Sequence, residues 1–365
     1  MSIASWLYTN FSDEGEWGVW RTDSTLPGYD YSLKSGWPSS MAQGMGISVM
    51  LAAYSMTDDG AYLQVARKAI SAFGVSAVVG GIAGRFGNTV WYDEYPTYPD
   101  KHVLNGFIFS LAGLYDYYCV TKESDARRYL DDGFAALEAH VSSFDAGWAS
   151  YYSASVNRGT DHGIATITGA RYQALHAAQL LWAHSVTKKE IFYQYANWFL
   201  QQDFGESVIS YALKPKFSEV VASHSIDPKN HGPDKTVDSI ISYGEYWSSS
   251  RFPASISYVT NRDVDALSAV VVVTTGEKIE VPDIFVTVGA DRRKMTVGLV
   301  DEFFLQERHH QSLVHVYRLA SPVDGVSAID VVFDRAESGI IKVREFNAMY
   351  DMSPELEYLK DQLGY

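Results

Sequence analysis

The chain has 365 residues, 47% of them hydrophobic and 20% charged, which suffices for a sizeable core and, at about 150 residues per domain, for two domains. Its formal net charge of -15 disfavours general nucleic-acid binding and adhesion to an anionic membrane, yet leaves room for an anionic substrate in a local basic pocket. With Cys119 as its single cysteine, an intramolecular disulfide and a cysteine-built metal site are both excluded.

Residues 1–38 hold Trp6, Trp17, Trp20 and Trp37 among several Gly and Pro, and read as an irregular aromatic-rich segment or small hairpins packed over helices. The opening "MSIASWLYTNF" has neither a basic start nor an apolar run, so no signal peptide is expected. No stretch reaches the ~18 apolar residues of a membrane span, and the expected location is cytoplasmic.

Residues 39–205 show a helical period. The first helix is expected over 39–55. "AYLQVARKAISAF" then sets Tyr62, Val65, Ala66, Ala69, Ile70 and Phe73 on one face. A third helix is expected over 101–118, with Val103, Leu104, Phe107, Ile108, Leu111 and Leu114 inward, and Cys119 beside it reads as a small buried residue. "SDARRYLDDGFAALEAHV" repeats the pattern with Ser124 as its N-cap, and further helices are expected over 168–184 and 188–202. The connectors "MTDDG", "VTKE" and "SVTKK" are short, which favours antiparallel helical hairpins.

After residue 205 the period falls to two. "DIFVTVG" alternates Ile284, Val286 and Val288 with polar positions, and "SAIDVVFD" places Ile329, Val331 and Phe333 on one face. The runs "LSAVVVVTT", "KMTVGLV", "SLVHVYRLA" and "GIIKVREF" alternate with the turns "GADRRK", "PVDG" and "AESG", which suggests a β-sandwich over 206–365, closed by a helix in "SPELEYLKDQLG". His309 and His310 adjoin on a strand, point to opposite faces, and so do not share a metal ion. The expected class is α+β multidomain: an (α/α) toroid of helical hairpins and then an antiparallel β-sandwich.

Three clusters carry candidate chemistry. "WYDEYPTYPDKHVLNGFIFSLAGLYDYY", residues 91–118, places Asp93, Glu94 and Tyr95 in a loop that Pro96 and Pro99 force to be extended and that the next helix anchors. A surface loop of solvated acids and packing tyrosines is the bland alternative. "ITGARYQALHAAQLLW" puts Tyr172, His176 and Gln179 on a polar stripe of an apolar helix, next to Arg171. "DAGWASYYSASVNRGTDHG" is an aromatic loop with Tyr151, Tyr152, Arg158 and His162.

In their order, "SGWPSSMAQGMGISVMLAAYSMT", the 91–118 stretch, "DAGWASYYS" and "ARYQALHAAQLLW" resemble the D-glucuronyl C5-epimerase family over roughly residues 35–203. That family inverts C5 of glucuronic acid within a polysaccharide, a glycosaminoglycan of the heparan sulfate type, to give iduronic acid. The resemblance implies Glu94 as base and Tyr95 as an orienting group. It implies Tyr151 or Tyr172 as the proton donor on the opposite face, with Tyr152 the alternative match for Tyr151. Animal members continue from the loop tyrosine with Asp-Leu-Arg-His, where this chain reads "YYSAS", so Arg158, His162, Arg171 and His176 are the expected groups for the substrate carboxylate. Gln43 and Asn105, from the Ser-x-Met-Ala-Gln-Gly and Leu-Asn-Gly-Phe segments, are expected substrate contacts. Neither a metal nor an organic cofactor is implied, and a homodimer is left open. A polysaccharide lyase, a glycoside hydrolase and a non-catalytic carbohydrate-binding protein are the rival readings.

Overall fold

The computed structural model describes residues 2–25, 33–97, 101–155, 170–202, 217–237, 246–276, 279–307 and 310–364. The chain forms two compact units, one from 1–146, 150–168 and 186–192, the other from 147–149, 169–185 and 193–365.

The first unit opens with helix α1 (Ile3–Thr9), capped by the Ser2 hydroxyl, and a three-stranded sheet of β1 (Phe11–Asp13), β2 (Gly18–Thr22) and β3 (Trp37–Pro38). Helix α1 buries no side chain, so no apolar period announces it. Helices α2 (Ser40–Thr57) and α3 (Gly60–Ser71) start on the side-chain caps Ser39 and Asp59. The hairpin of β4 (Ala83–Phe86) and β5 (Thr89–Tyr92) precedes the loop of interest. Strand β6 (Lys101–Val103) comes after that loop and runs directly into α4 (Leu104–Thr121), and α5 (Ser124–His140) packs next. Helices α2 and α4 touch through their backbones: a Cβ on Gly44 would stand 2.6 Å from Phe109 O, and one on Gly113 would collide with Gly44. Ala66, Ala69, Ile70, Phe73, Phe107, Leu111, Leu130, Phe134 and Leu137 are buried, as the helical period requires.

Three local expectations are corrected. Residues 101–103 are strand, because they pair with β7 (Ser153–Ser155), some fifty positions away and invisible to a local pattern. Ser124 is the first helical residue of α5, and the cap position belongs to Glu123, which makes no side-chain cap bond. Cys119 is exposed: it stands one turn beyond the half-exposed Tyr115, on the solvent side of α4.

The second unit takes residues 170–185 of α6 (Ala170–Thr187) and 193–201 of α7 (Glu190–Gln201). Its strands are β8 (Phe217–Ala222), β9 (Trp247–Ser249), β10 (Ala254–Val264), β11 (Leu267–Thr274), β12 (Asp283–Val288), β13 (Asp291–Lys294), β14 (Val297–Glu307), β15 (His310–Val323), β16 (Val326–Phe333) and β17 (Ile341–Met349), and the last element is α8 (Ser353–Leu363). They form two five-stranded sheets, β13-β12-β16-β10-β8 and β14-β15-β11-β17-β9, with every described pairing antiparallel. Tyr258 of the first sheet stacks on Phe346 of the second at 3.8 Å, and the inward Ile284, Val286, Ile329, Val331 and Phe333 are buried. Asn347 donates to Gln201 O at 3.2 Å and Asn197 to Asp351 Oδ1 at 2.8 Å, which ties residues 193–201 of α7 to the strand-rich part of the same unit. The α+β class with antiparallel sheets is therefore observed. Among the described residues no helix is long and apolar enough to cross a membrane. Tyr98, Pro99, Asp100 and His309, and the side chain of His310, lie outside the described residues.

Candidate active site around Glu94

The hairpin before the loop is set by its aromatic residues. Trp91 stacks on Phe107 at 3.7 Å, and the Tyr92 hydroxyl donates to Tyr129 O at 2.8 Å. Asp93 leaves the hairpin with its N–H on Ile82 O at 3.2 Å and its C=O accepting from Ser40 N–H at 3.1 Å. The next residue, Glu94, is only 3% exposed.

The Glu94 side chain lies against Gly106 in the first turn of α4. A Cβ on that glycine would stand 2.7 Å from Glu94 Cβ and closer still to Oε2. Only glycine leaves that space, and the arrangement sets the carboxyl at the positive end of the α4 dipole. Oε2 is buried and has no hydrogen-bond partner among the described residues. Burial pushes the Glu94 carboxyl above its ordinary value of 4.5, and hydrogen bonds from the Tyr95 and Tyr152 phenols pull the other way.

Two phenols meet there. Tyr95 O–H and Tyr152 O–H are 3.4 Å apart, and the Tyr95 ring packs on Trp37 at 5.6 Å. Tyr152 is delivered by the β6–β7 ladder, where Val103 is opposite Ser153 and Leu104 N–H donates to Tyr152 O at 3.2 Å. Of the two neighbouring tyrosines, Tyr152 is thus the one whose phenol is seen at Glu94. Tyr151 is half-buried, and its N–H donates to Phe144 O at 2.7 Å.

Beside Glu94 lies a buried pair that sequence reasoning did not single out. His102 Nδ1 and Asp93 Oδ1 are 3.4 Å apart, with side-chain exposures of 0% and 4%. The His102 ring stacks on Phe86 at 4.1 Å and the His140 ring stacks on the same phenyl at 3.9 Å, so the two imidazoles take opposite faces. The one local signal is a histidine just before an apolar helix start; its partner nine positions back has no periodic signature. A neighbouring cleft of about 680 Å³ is lined by Tyr92, Asp93, Thr97, Tyr129, Asp132 and Arg85 among others but not by Glu94, and Arg85 has no ion-pair partner among the described residues.

The other expected residues fall elsewhere. Both amide hydrogens of Gln43 are taken by Gly18 O and Ala69 O, at 2.8 and 3.0 Å, while its oxygen accepts from Trp20 N–H at 3.3 Å. It ties α2 to β2 and α3. Asn105 is buried one residue before Gly106. Tyr172, 40% exposed, and His176, fully buried, belong to the second unit. Burial pushes His176 down to about 3, so at neutral pH it carries no charge and the positive-pocket role expected of it does not fall to it. The expected wet stripe is correspondingly divided, since Gln179 is buried as well. Arg158 and His162, and the side chain of Arg171, lie outside the described residues. Among the described residues no group of three or more His, Cys, Asp or Glu side chains is arranged to hold a metal ion.

Residues 13–201 match the sequence profile of the family described as D-glucuronyl C5-epimerase C-terminus. The chain is similar to the D-glucuronyl C5-epimerase of Caenorhabditis elegans, at 32% identity over 56% of this chain and 35% of that protein. It is also similar to an uncharacterized protein of Methanocaldococcus jannaschii, at 31% identity over 48% of this chain and 55% of that one. It thus spans between about a third and a half of the length of these curated relatives. Among solved structures, a glycoside hydrolase family 76 mannosidase of Bacteroides thetaiotaomicron aligns over 54% of this chain and 50% of its own at 15% identity, with a TM-score of 0.37.

Proposed function

The chain belongs to the D-glucuronyl C5-epimerase family, and on that premise we propose that it inverts C5 of a uronic acid residue in a polysaccharide, with Glu94 as the base. The hairpins α2–α3 and α4–α5 are read as part of an (α/α) toroid, and the two sheets as an accessory β-sandwich.

The chemistry sets the demands. The C5 proton lies α to a carboxylate and is very weakly acidic, so a base must be strong, oriented and short of water. A second group must return a proton to the opposite face, and positive or hydrogen-bonding groups must offset the charge that grows on the substrate carboxylate. The observation that supports Glu94 is its buried carboxyl, raised above the ordinary range, with Oε2 unengaged among the described residues and two phenols holding the group in place. A carboxylate whose affinity for a proton is raised in this way binds the C5 proton more tightly than an exposed one would.

Tyr95 and Tyr152 bond to Glu94, so neither also reaches across a sugar ring, which takes roughly 5 to 9 Å between flanking groups. Their role here is orientation. The opposite-face donor is assigned to Tyr151 of the same unit, which a Tyr151→Phe change tests. Arg85, in the cleft that adjoins Asp93, offers a positive group to an anionic chain running past Glu94.

The test is incubation of uronic-acid polymers with the protein in deuterated water, read by NMR for deuterium at C5. An epimerase incorporates deuterium without making an unsaturated, ultraviolet-absorbing uronate, which a lyase would make, and without new reducing ends, which a hydrolase would make.

A further inference from the structure

We propose that Asp93 and His102 form a clamp across the neck of the loop that leaves the β4–β5 hairpin at Glu94, and that it sets where Glu94 points, so that both act as positioning residues. The inference rests on the reading of Glu94 as the base, but concerns residues to which that reading gives no role.

The two ends of the loop are tied to different parts of the unit. Asp93 continues the β4–β5 hairpin, with its backbone N–H on Ile82 and its C=O on Ser40. Its carboxylate presses on the hairpin itself, where a Cβ on Gly84 would stand 2.9 Å from Asp93 Cγ. His102 lies on β6 opposite Ala154, the ladder that delivers Tyr152 to Glu94. The contact of 3.4 Å between Nδ1 and Oδ1 therefore joins the element that carries the base to the element that carries one of its phenols. Phe86, with His140 on its far face, fixes the plane of the His102 ring.

Stability alone does not call for such a pair. Apolar side chains of the same volume would fill the site at no desolvation cost, and a buried polar pair contributes little net stability. What the pair supplies is direction. A hydrogen bond between two side chains without access to water has one register, so the backbone one residue before Glu94 is held against both the hairpin and the ladder. A shift of about 1 Å in a reacting group costs on the order of 100-fold in rate, so a neck that only packed would be too loose.

The experiment compares wild type with His102→Phe, which keeps the stacking and volume but loses the bond, and with Asp93→Asn, which keeps the shape and weakens it. Glu94 is titrated by carbon-13 NMR of glutamate-labelled protein, its signal identified by its loss in Glu94→Gln, and C5 exchange is measured alongside. We expect the Glu94 midpoint in His102→Phe to move down toward 4.5 as the carboxyl gains water. The melting temperature stays within a few degrees of wild type, and kcat falls about 100-fold with KM little changed. Asp93→Asn moves the midpoint the same way by less, and serves the same comparison should His102→Phe not fold. An unchanged Glu94 midpoint in the folded variants overturns the clamp, whatever happens to turnover. Absence of C5 exchange in wild type would instead remove the epimerase reading, while the titration still decides the clamp.

Discussion

Glu94 lies against Gly106, the third residue of α4, so closely that no side chain fits between them, and its Oε2 is buried there without a hydrogen-bond partner among the described residues. The glycine is thus one wall of the carboxyl's pocket. In an ordinary helix interior, Gly→Ala stabilises by about 1 kcal/mol. Here the new methyl must displace Glu94 or α4. Gly106→Ala is expected to lower the C5 exchange rate by on the order of 100-fold and to leave the melting temperature at or below that of wild type. An active and more stable Gly106→Ala would show that the contact does not matter.

The phenol of Tyr152 pulls the Glu94 carboxyl down against the upward push of burial. Tyr152→Phe removes that bond, so Glu94 titrates higher than in wild type. Because a base works only when ionised, the acidic limb of the pH–rate profile moves to higher pH. A profile that stays in place would separate Tyr152 from the base.

Glu94 also links stability to pH. Its folded-state midpoint is raised above 4.5, so between those two values the folded protein binds more protons than the unfolded chain, and stability falls as pH rises through that window. The cost is fully present above the raised midpoint. Glu94→Gln removes it, and its melting temperature is expected to exceed that of wild type at neutral pH by more than it does near 4.5. Equal differences at both ends, measured by circular dichroism, would count against an ionised buried Glu94.

His176 works in the opposite sense. It stays neutral in the fold down to about 3, while the unfolded chain takes up a proton near 6.5. Stability is full above 6.5 and is lost as pH falls toward 3. In His176→Leu the loss of melting temperature between neutral and mildly acidic solution is expected to shrink. Were the acid sensitivity of the two proteins identical, the buried histidine would not be its source.

Legibility in the sequence depended on the range of the interaction. The helical period located α2, α3 and α5 within a few residues, because their apolar faces repeat locally. The strands of the second unit were legible for the same reason, as Ile284 and Val286 or Ile329 and Val331 show. What failed was non-local. The β6–β7 pairing turned the expected first turn of a helix into strand, and it brought Tyr152 to Glu94, a choice that two adjacent tyrosines leave open in sequence. The Asp93–His102 contact and the packing of Glu94 on Gly106 likewise join residues with no shared period. Cys119 misled because one turn of helix separates it from Tyr115, whose own half-exposure is set by tertiary packing.

The central claim is that the Glu94 carboxylate removes the C5 proton of a uronic acid residue. Glu94→Gln keeps the shape of the pocket and removes the base, so the most direct measurement is the rate of C5 deuterium incorporation into a uronic-acid polymer by wild type and by folded Glu94→Gln. Wild type is expected to incorporate deuterium and the variant at least about 100-fold more slowly, with no ultraviolet-absorbing product in either. Incorporation by Glu94→Gln at close to the wild-type rate would contradict the claim.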